Sequence, residues 1–118
     1  FTTFHGLYDR AIGMGEKPPF GLAERVKAAK TNLDLGTKLN FITTNDIIGG
    51  NSGSPVVNAQ GEYVGLIFDG NIQSLVGRYA YEDTRNRAVA VHSSAIVEAM
   101  RKVYGMDALA AELTGKTY

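Results

Sequence analysis

Cysteine is absent from this 118-residue sequence, histidine occurs twice and proline three times, and neither charge dominates, with 12 basic side chains against 12 acidic ones. Without Cys there is no disulfide framework, no Cys-ligated zinc and no thiol nucleophile, and two isolated His give no basis for a dedicated metal site. Balanced charge without a basic cluster removes the electrostatic attraction on which non-specific nucleic-acid binding depends. No apolar run approaches the ~20 residues that span a bilayer. Nucleic acid and membrane are therefore excluded as main partners. The chain opens at Phe1, with no basic leader or apolar secretory segment. It is expected to be an excerpt from a longer protein. What is present is an ordinary globular composition, 44% hydrophobic with 14 Gly, and one compact domain is expected over residues 1–118.

Along the chain, Phe1 to Arg10 mixes Phe1, Phe4, Leu7 and Tyr8 with Thr, His and Gly, and reads as an extended lead-in. Gly13, Gly15, Pro18 and Pro19 form a breaker-rich loop, after which Leu22, Ala23, Val26 and Ala29 mark one face of a short helix reaching about Lys30. Lys17, Glu24 and Lys27 are read as solvent-facing charges. Leu39 to Thr44 is β-branched and aromatic, a strand. Pro55-Val56-Val57 and Glu62 to Phe68 flank the polar turn Asn58-Ala59-Gln60-Gly61, which predicts a β-hairpin. Arg87 to Val91 reads as a further strand. Ser93 or Ser94 then caps a helix with Ile96, Val97, Met100, Val103 and Tyr104 at helical spacing and Gly105 as its stop. A second short helix is expected over Asp107 to Leu113. The expected fold is mainly β with flanking helices, ending in an α-helix. Tyr63, Tyr79, Tyr81 and Tyr104 fit packing at core or rim better than a stacking platform, since no basic residues interleave them. Arg78, Arg85 and Arg87 with Glu82 and Asp83 read as a solvated loop.

One stretch carries chemistry. In Gly49-Gly50-Asn51-Ser52-Gly53-Ser54-Pro55 a serine stands among glycines between a loop and a strand. A Ser hydroxyl is a poor nucleophile unless a tight turn exposes it to a base and nearby amides face the developing oxyanion. In the chymotrypsin-like arrangement those donors are the nucleophile's own N–H and that of the residue two before it, here Ser52 and Gly50. Gly, Asn and Ser are also ordinary turn residues, so Gly-x-Ser-Gly alone does not separate the two readings.

The longer segment Thr43-Thr44-Asn45-Asp46-Ile47-Ile48-Gly49-Gly50-Asn51-Ser52-Gly53-Ser54-Pro55-Val56-Val57, followed by Gly65-Leu66-Ile67-Phe68-Asp69-Gly70-Asn71, resembles the bacterial dipeptidyl-peptidase 7/11 family. These are serine exopeptidases on a chymotrypsin-like double β-barrel with an added helical domain. The resemblance covers only the C-terminal barrel half of such an enzyme. It implies that Ser52 is the nucleophile and that the Gly50 and Ser52 amides form the oxyanion hole. It implies that Asp69 binds the free amino terminus of a peptide substrate and that Gly70 lies at the pocket for the residue before the cut. A cationic residue at that last position is associated with preference for Asp or Glu, so Gly70, leaving volume and no charge, implies an apolar preference. The resemblance also implies a periplasmic or secreted homodimer that needs no cofactor. Ile48 stands where the family has Thr, and His92 where it tends to have an acidic residue.

Asn51 occupies the place of an Asp that, in many trypsin-like enzymes, pairs with a newly cut amino terminus; an amide cannot make that ion pair. Asp46, six residues before Ser52, is read as a loop-capping residue rather than a specificity carboxylate. A triad also needs a His and an acid, and the resemblance puts both in an N-terminal half that this chain lacks. His5 and His92 are the only local candidates and neither has the setting of a base. The isolated chain is expected to be inactive. The alternative reading is a noncatalytic β-domain that keeps the loop for peptide binding or structure. An esterase with another base lacks the alternating helices of an α/β-hydrolase.

Overall fold

The computed structural model describes residues 1–118, all side chains but that of Arg78. It divides into two compact units, one of Phe1 with Leu39–Ser93 and one of Thr2–Lys38 with Ser94–Tyr118.

The first unit is an antiparallel sheet of β1 (Asn40–Thr43), β2 (Pro55–Val57), β3 (Tyr63–Gly70) and β4 (Ala88–His92), in the order β1-β4-β3-β2. The expected hairpin is β2-β3. Its turn closes because Asn58 Oδ1 accepts from the amides of Gln60 (3.0 Å) and Glu62 (2.9 Å), while Gly61 takes a φ of 79°. The inner strand β4 contributes Ala88 and Ala90, both fully buried, and these pack with Ile67 under Phe41, Ile47 and Val56. Small residues on β4 let large neighbours approach. Gly65 is required for the same reason, since a Cβ there would stand 2.3 Å from the Val91 carbonyl oxygen and 2.6 Å from Phe41 Cε1. A bulge at Phe68 shifts the pairing from Ile67↔Ala90 to Asp69↔Val89, so that four successive residues of β3 come to line one cavity.

After β3 the chain forms a 3₁₀ helix, Ile72–Arg78, that the sequence reading did not anticipate. Asn71 holds it in place. Its Oδ1 accepts from the amides of Ser74 (3.1 Å) and Arg87 (3.0 Å), its Nδ2 donates to the Arg85 carbonyl (2.7 Å), and its own N–H donates to the Arg87 carbonyl (2.9 Å). Arg87 is more than a solvated charge, because its guanidinium donates to the carbonyls of Asp83 and Asn86, both at 2.7 Å, and shapes the loop before β4. The corresponding reading of Arg78 lies outside the described residues. The four tyrosines singled out are all exposed, Tyr79 at 93%, so they form rim and not core.

The second unit holds four helices. The expected extended lead-in is instead α1 (Phe4–Gly13), capped by the Thr3 hydroxyl and buried through Phe4, Tyr8 and Ala11. Their 4-then-3 spacing is the helical signal, masked by His5 and Gly6 and by the exposed Phe1. Tyr8 donates its hydroxyl to the Val26 carbonyl at 2.5 Å, beneath α2 (Glu24–Ala29). Burial raises the Tyr8 pKa above its ordinary 10.0. Lys27 is paired with Glu16 (2.7 Å) and Glu24 (3.2 Å), and hydrogen bonds to both carboxylates raise its pKa. Helix α3 (Ser93–Lys102) ends before Val103 and Tyr104, and α4 (Asp107–Thr114) ends at Gly115, whose φ is 65°. No helix among the described residues is long and apolar enough to cross a membrane.

Candidate active site

The loop from Asn45 to Ser54 is fastened at both sides of Ser52. Asn51 and Ile48 make a reciprocal pair in which the Ile48 amide donates to Asn51 Oδ1 (2.7 Å) and the Asn51 amide donates to the Ile48 carbonyl (3.2 Å). Beyond the serine, the Gly53 amide donates to the Ile67 carbonyl (2.7 Å), the Ser54 amide to the Asn51 carbonyl (2.9 Å), and the Ile67 amide to the Ser54 carbonyl (3.0 Å). The loop therefore closes on itself and on β3. Gly50 has φ 100° and Gly53 φ 88°, backbone conformations that a side chain would strain. Among the described residues the amides of Gly50 and Ser52 have no acceptor, although those of Asn51, Gly53 and Ser54 are all used. Ser52 itself is exposed.

An open cavity of about 180 Å³ brings together Ser52, Asp69 and Gly70, with Ile47, Ile67 and Leu75 as apolar walls and Ser74 beside them. Gly50, the fourth residue singled out, belongs to the same loop. Among the described residues of the lining Asp69 is the only charged one, and one of its oxygens accepts from the Gly70 amide at 2.8 Å. Gly70 does not leave the open volume expected of it. A Cβ at residue 70 would stand 2.4 Å from Ser74 Oγ and 3.2 Å from Ile47 Cδ1, so that space is already filled.

A larger cavity of about 280 Å³ shares Ile47, Asn51 and Ile67 with the first but lacks Ser52 and is lined by Asp46. The chemistry-bearing residues favour the smaller cavity, and Asp46 does not line it. Nor does the Asp46 carboxylate cap the loop, for which Asn51 supplies the side-chain acceptor. No base stands at Ser52 among the described residues. His92 ends β4 with its ring against Phe1 (5.8 Å between centroids) and Phe41 (5.5 Å), His5 lies on α1, and neither lines the Ser52 cavity. Lys27, doubly paired with carboxylates, is held protonated. No group of His, Cys, Asp and Glu among the described residues could hold a metal ion.

Sequence reasoning missed Ser74 and Leu75, which line one side of the cavity, and the role of Asn71 as the cap of the helix that carries them. The signal was an Asn three residues before a Ser, an N-cap pattern that a short 3₁₀ segment makes easy to overlook.

The fold is similar to that of solved DPP11 structures. The crystal structure of Porphyromonas endodontalis DPP11 in complex with the dipeptide Arg-Asp matches 96% of this chain and 17% of its own, with a TM-score of 0.81 and 27% identity. The chain belongs to the Peptidase S46 family, whose pattern it matches over residues 1–115. Its relatives include Dipeptidyl-peptidase 7 of Phocaeicola vulgatus, 45% identical over 74 residues, which are 63% of this chain and 10% of that protein. Another is the Asp/Glu-specific dipeptidyl-peptidase of Shewanella putrefaciens, 43% identical over 75 residues, 64% of this chain and 10% of that protein. The chain thus matches about a tenth of the length of these relatives.

Proposed function

We propose that residues 1–118 are the nucleophile-bearing C-terminal barrel portion of a bacterial serine dipeptidyl-peptidase with a chymotrypsin-like double barrel. The observation that carries this reading is the pair of amides, Gly50 and Ser52, left without acceptors beside an exposed serine whose cavity also holds Asp69. Donors fixed before the reaction, at no cost in reorganisation, are what a developing oxyanion requires.

The substrate's terminal ammonium meets the Asp69 carboxylate, and the side chain of the second residue enters between Ile47, Ile67 and Leu75. Two extended residues span at most about 7 Å, so an ammonium held at Asp69 sets which carbonyl reaches Ser52. The Ser52 hydroxyl oxygen attacks that carbonyl while a His, oriented by an Asp, takes its proton. Both lie outside this chain. The oxyanion rests on the Gly50 and Ser52 N–H groups. The same His then protonates the leaving amine, and water releases the dipeptide from the acyl-enzyme. The proposed enzyme uses no cofactor. The pocket walls suit an apolar residue before the cut, bound by burial at roughly 25 cal/mol per Å². By family resemblance we place the intact enzyme in the periplasm or outside the cell, as a homodimer.

In the full-length protein, Ser52→Ala is expected to lower kcat by about 10⁴ or more, the scale of triad knockouts. The 118-residue chain alone is expected to show no turnover. Unchanged hydrolysis by Ser52→Ala would point to the noncatalytic reading of the loop.

A further inference from the structure

We propose that Ser74 is a specificity-determining residue of this site, acting as a pair with Gly70. The inference rests on the reading of the Ser52 cavity as the substrate pocket and names a residue that sets its shape.

Gly70 is not among the glycines with positive φ, so its backbone conformation is open to any side chain. Space forbids one. Ser74 Oγ lies 2.4 Å from where a residue-70 Cβ would be, closer than real contacts allow, whereas Ser74 Cβ lies at 3.4 Å, near ordinary contact. One oxygen atom makes most of the difference, since Ile47 Cδ1 at 3.2 Å needs to give by only a few tenths of an ångström. Turning that oxygen aside breaks the hydrogen bond that the hydroxyl donates to the Asn71 carbonyl at 2.6 Å. The backbone beneath it is held as well, since the Ser74 amide donates to Asn71 Oδ1, which also accepts from the Arg87 amide. Asn71 thus fixes Ser74 against residue 70 from two directions.

The cavity is therefore closed at this point by a hydroxyl carried on the 3₁₀ helix and not by the strand residue itself. A side chain introduced at residue 70 meets Ser74 Oγ first and must move that oxygen off the Asn71 carbonyl before it can pass. Removing that oxygen leaves Ile47 Cδ1, at 3.2 Å, as the one close neighbour among the described residues, and a small shift of that methyl opens the route. Whether the pocket offers a neutral floor or a charge from residue 70 is decided at both positions together.

The test is a double-mutant cycle in the full-length protein: Gly70→Ala, Ser74→Ala and both together, then Gly70→Arg with and without Ser74→Ala. The readouts are Tm and kcat/KM on matched free-amine substrates whose second residue is Leu, Phe, Asp or Glu. Gly70→Ala is expected to lose about tenfold on every substrate and to lower Tm, with most of both losses restored by adding Ser74→Ala, as contacting residues couple strongly. Ser74→Ala alone should shift the ranking towards Phe over Leu by about threefold, because the pocket gains the volume of the hydroxyl. Gly70→Arg/Ser74→Ala should favour Asp and Glu over Leu by at least about tenfold more than Gly70→Arg does, through a guanidinium–carboxylate pair. Additive effects in the cycle, or a full switch by Gly70→Arg alone, would overturn the proposal. Coupling seen in Tm without any change of substrate ranking would also overturn it, since Ser74 would then be only a packing residue. A Ser52→Ala variant that still turns over these substrates would instead remove the reading of the cavity on which the inference rests.

Discussion

Replacing Asp69 by Asn isolates charge from shape. The Asn Oδ1 can still accept the Gly70 amide that Asp69 accepts at 2.8 Å, so the local turn is kept and only the negative charge facing the substrate is lost. A hydrogen bond to a charged partner contributes about 1.5–3 kcal/mol. Asp69 is exposed on the cavity surface, where solvent screens the pair, so the lower half of that range applies. At 1.36 kcal/mol per tenfold, kcat/KM for a free-amine dipeptidyl substrate should fall by roughly 10- to 50-fold. The same peptide with an acetylated terminus has no ammonium to lose and should change less than about twofold. The pH profile carries an independent mark. An α-amino group loses its proton near pH 8, so kcat/KM of the unmodified enzyme should decline above that value, and Asp69→Asn should flatten the decline. Side-by-side chromogenic assays of full-length protein on free and blocked substrates measure all of this. Equal losses on both substrates would refute the assignment of Asp69 to the amino terminus.

Asn51→Leu removes the acceptor of the Ile48 amide and loosens the turn that presents Gly50; with one oxyanion donor misplaced, kcat of the full-length enzyme should drop by about 10²-fold. Asn51→Asp keeps an acceptor oxygen and should recover most of that loss, whereas equal defects would mean that the hydrogen bond is not what matters. Gly65→Ala drives a Cβ into the Val91 carbonyl oxygen and the Phe41 ring, and should cost about 1–3 kcal/mol of stability, read as a lower Tm. Tyr8, whose pKa burial raises, stabilises the fold while protonated, so its contribution is complete below pH 10 and is lost as pH rises through the folded value. Stability followed from pH 8 to 11 should therefore fall at the alkaline end, and Tyr8→Phe should blunt that fall; an unchanged slope would assign it to other groups.

The serine loop was legible in the residues because its chemistry is local. Glycines at 50 and 53 stand where the backbone turns left-handed, and Asn51 bonds to a neighbour three residues away, interactions written within one short stretch of chain. The β2-β3 hairpin was legible for the same reason, since Asn58 and Gly61 close it within four residues. Helix α1 was hidden because its evidence is tertiary: Phe4, Tyr8 and Ala11 become a face only when burial selects them over Phe1 and Leu7. Asp69 and Gly70 could be named beside Ser52 only through family resemblance. What brings them to one cavity is a strand pairing that ties Gly53 to Ile67 and a bulge at Phe68, and neither leaves a mark in the spacing of residues. Ser74 lies further still from sequence reasoning. The glycine at residue 70 suggested empty space, but only the packed structure shows that a serine four residues later, tied down by Asn71, fills it. Chain connectivity specifies which bonds a turn can make with itself, whereas the volume left beside a glycine depends on what the rest of the fold puts there.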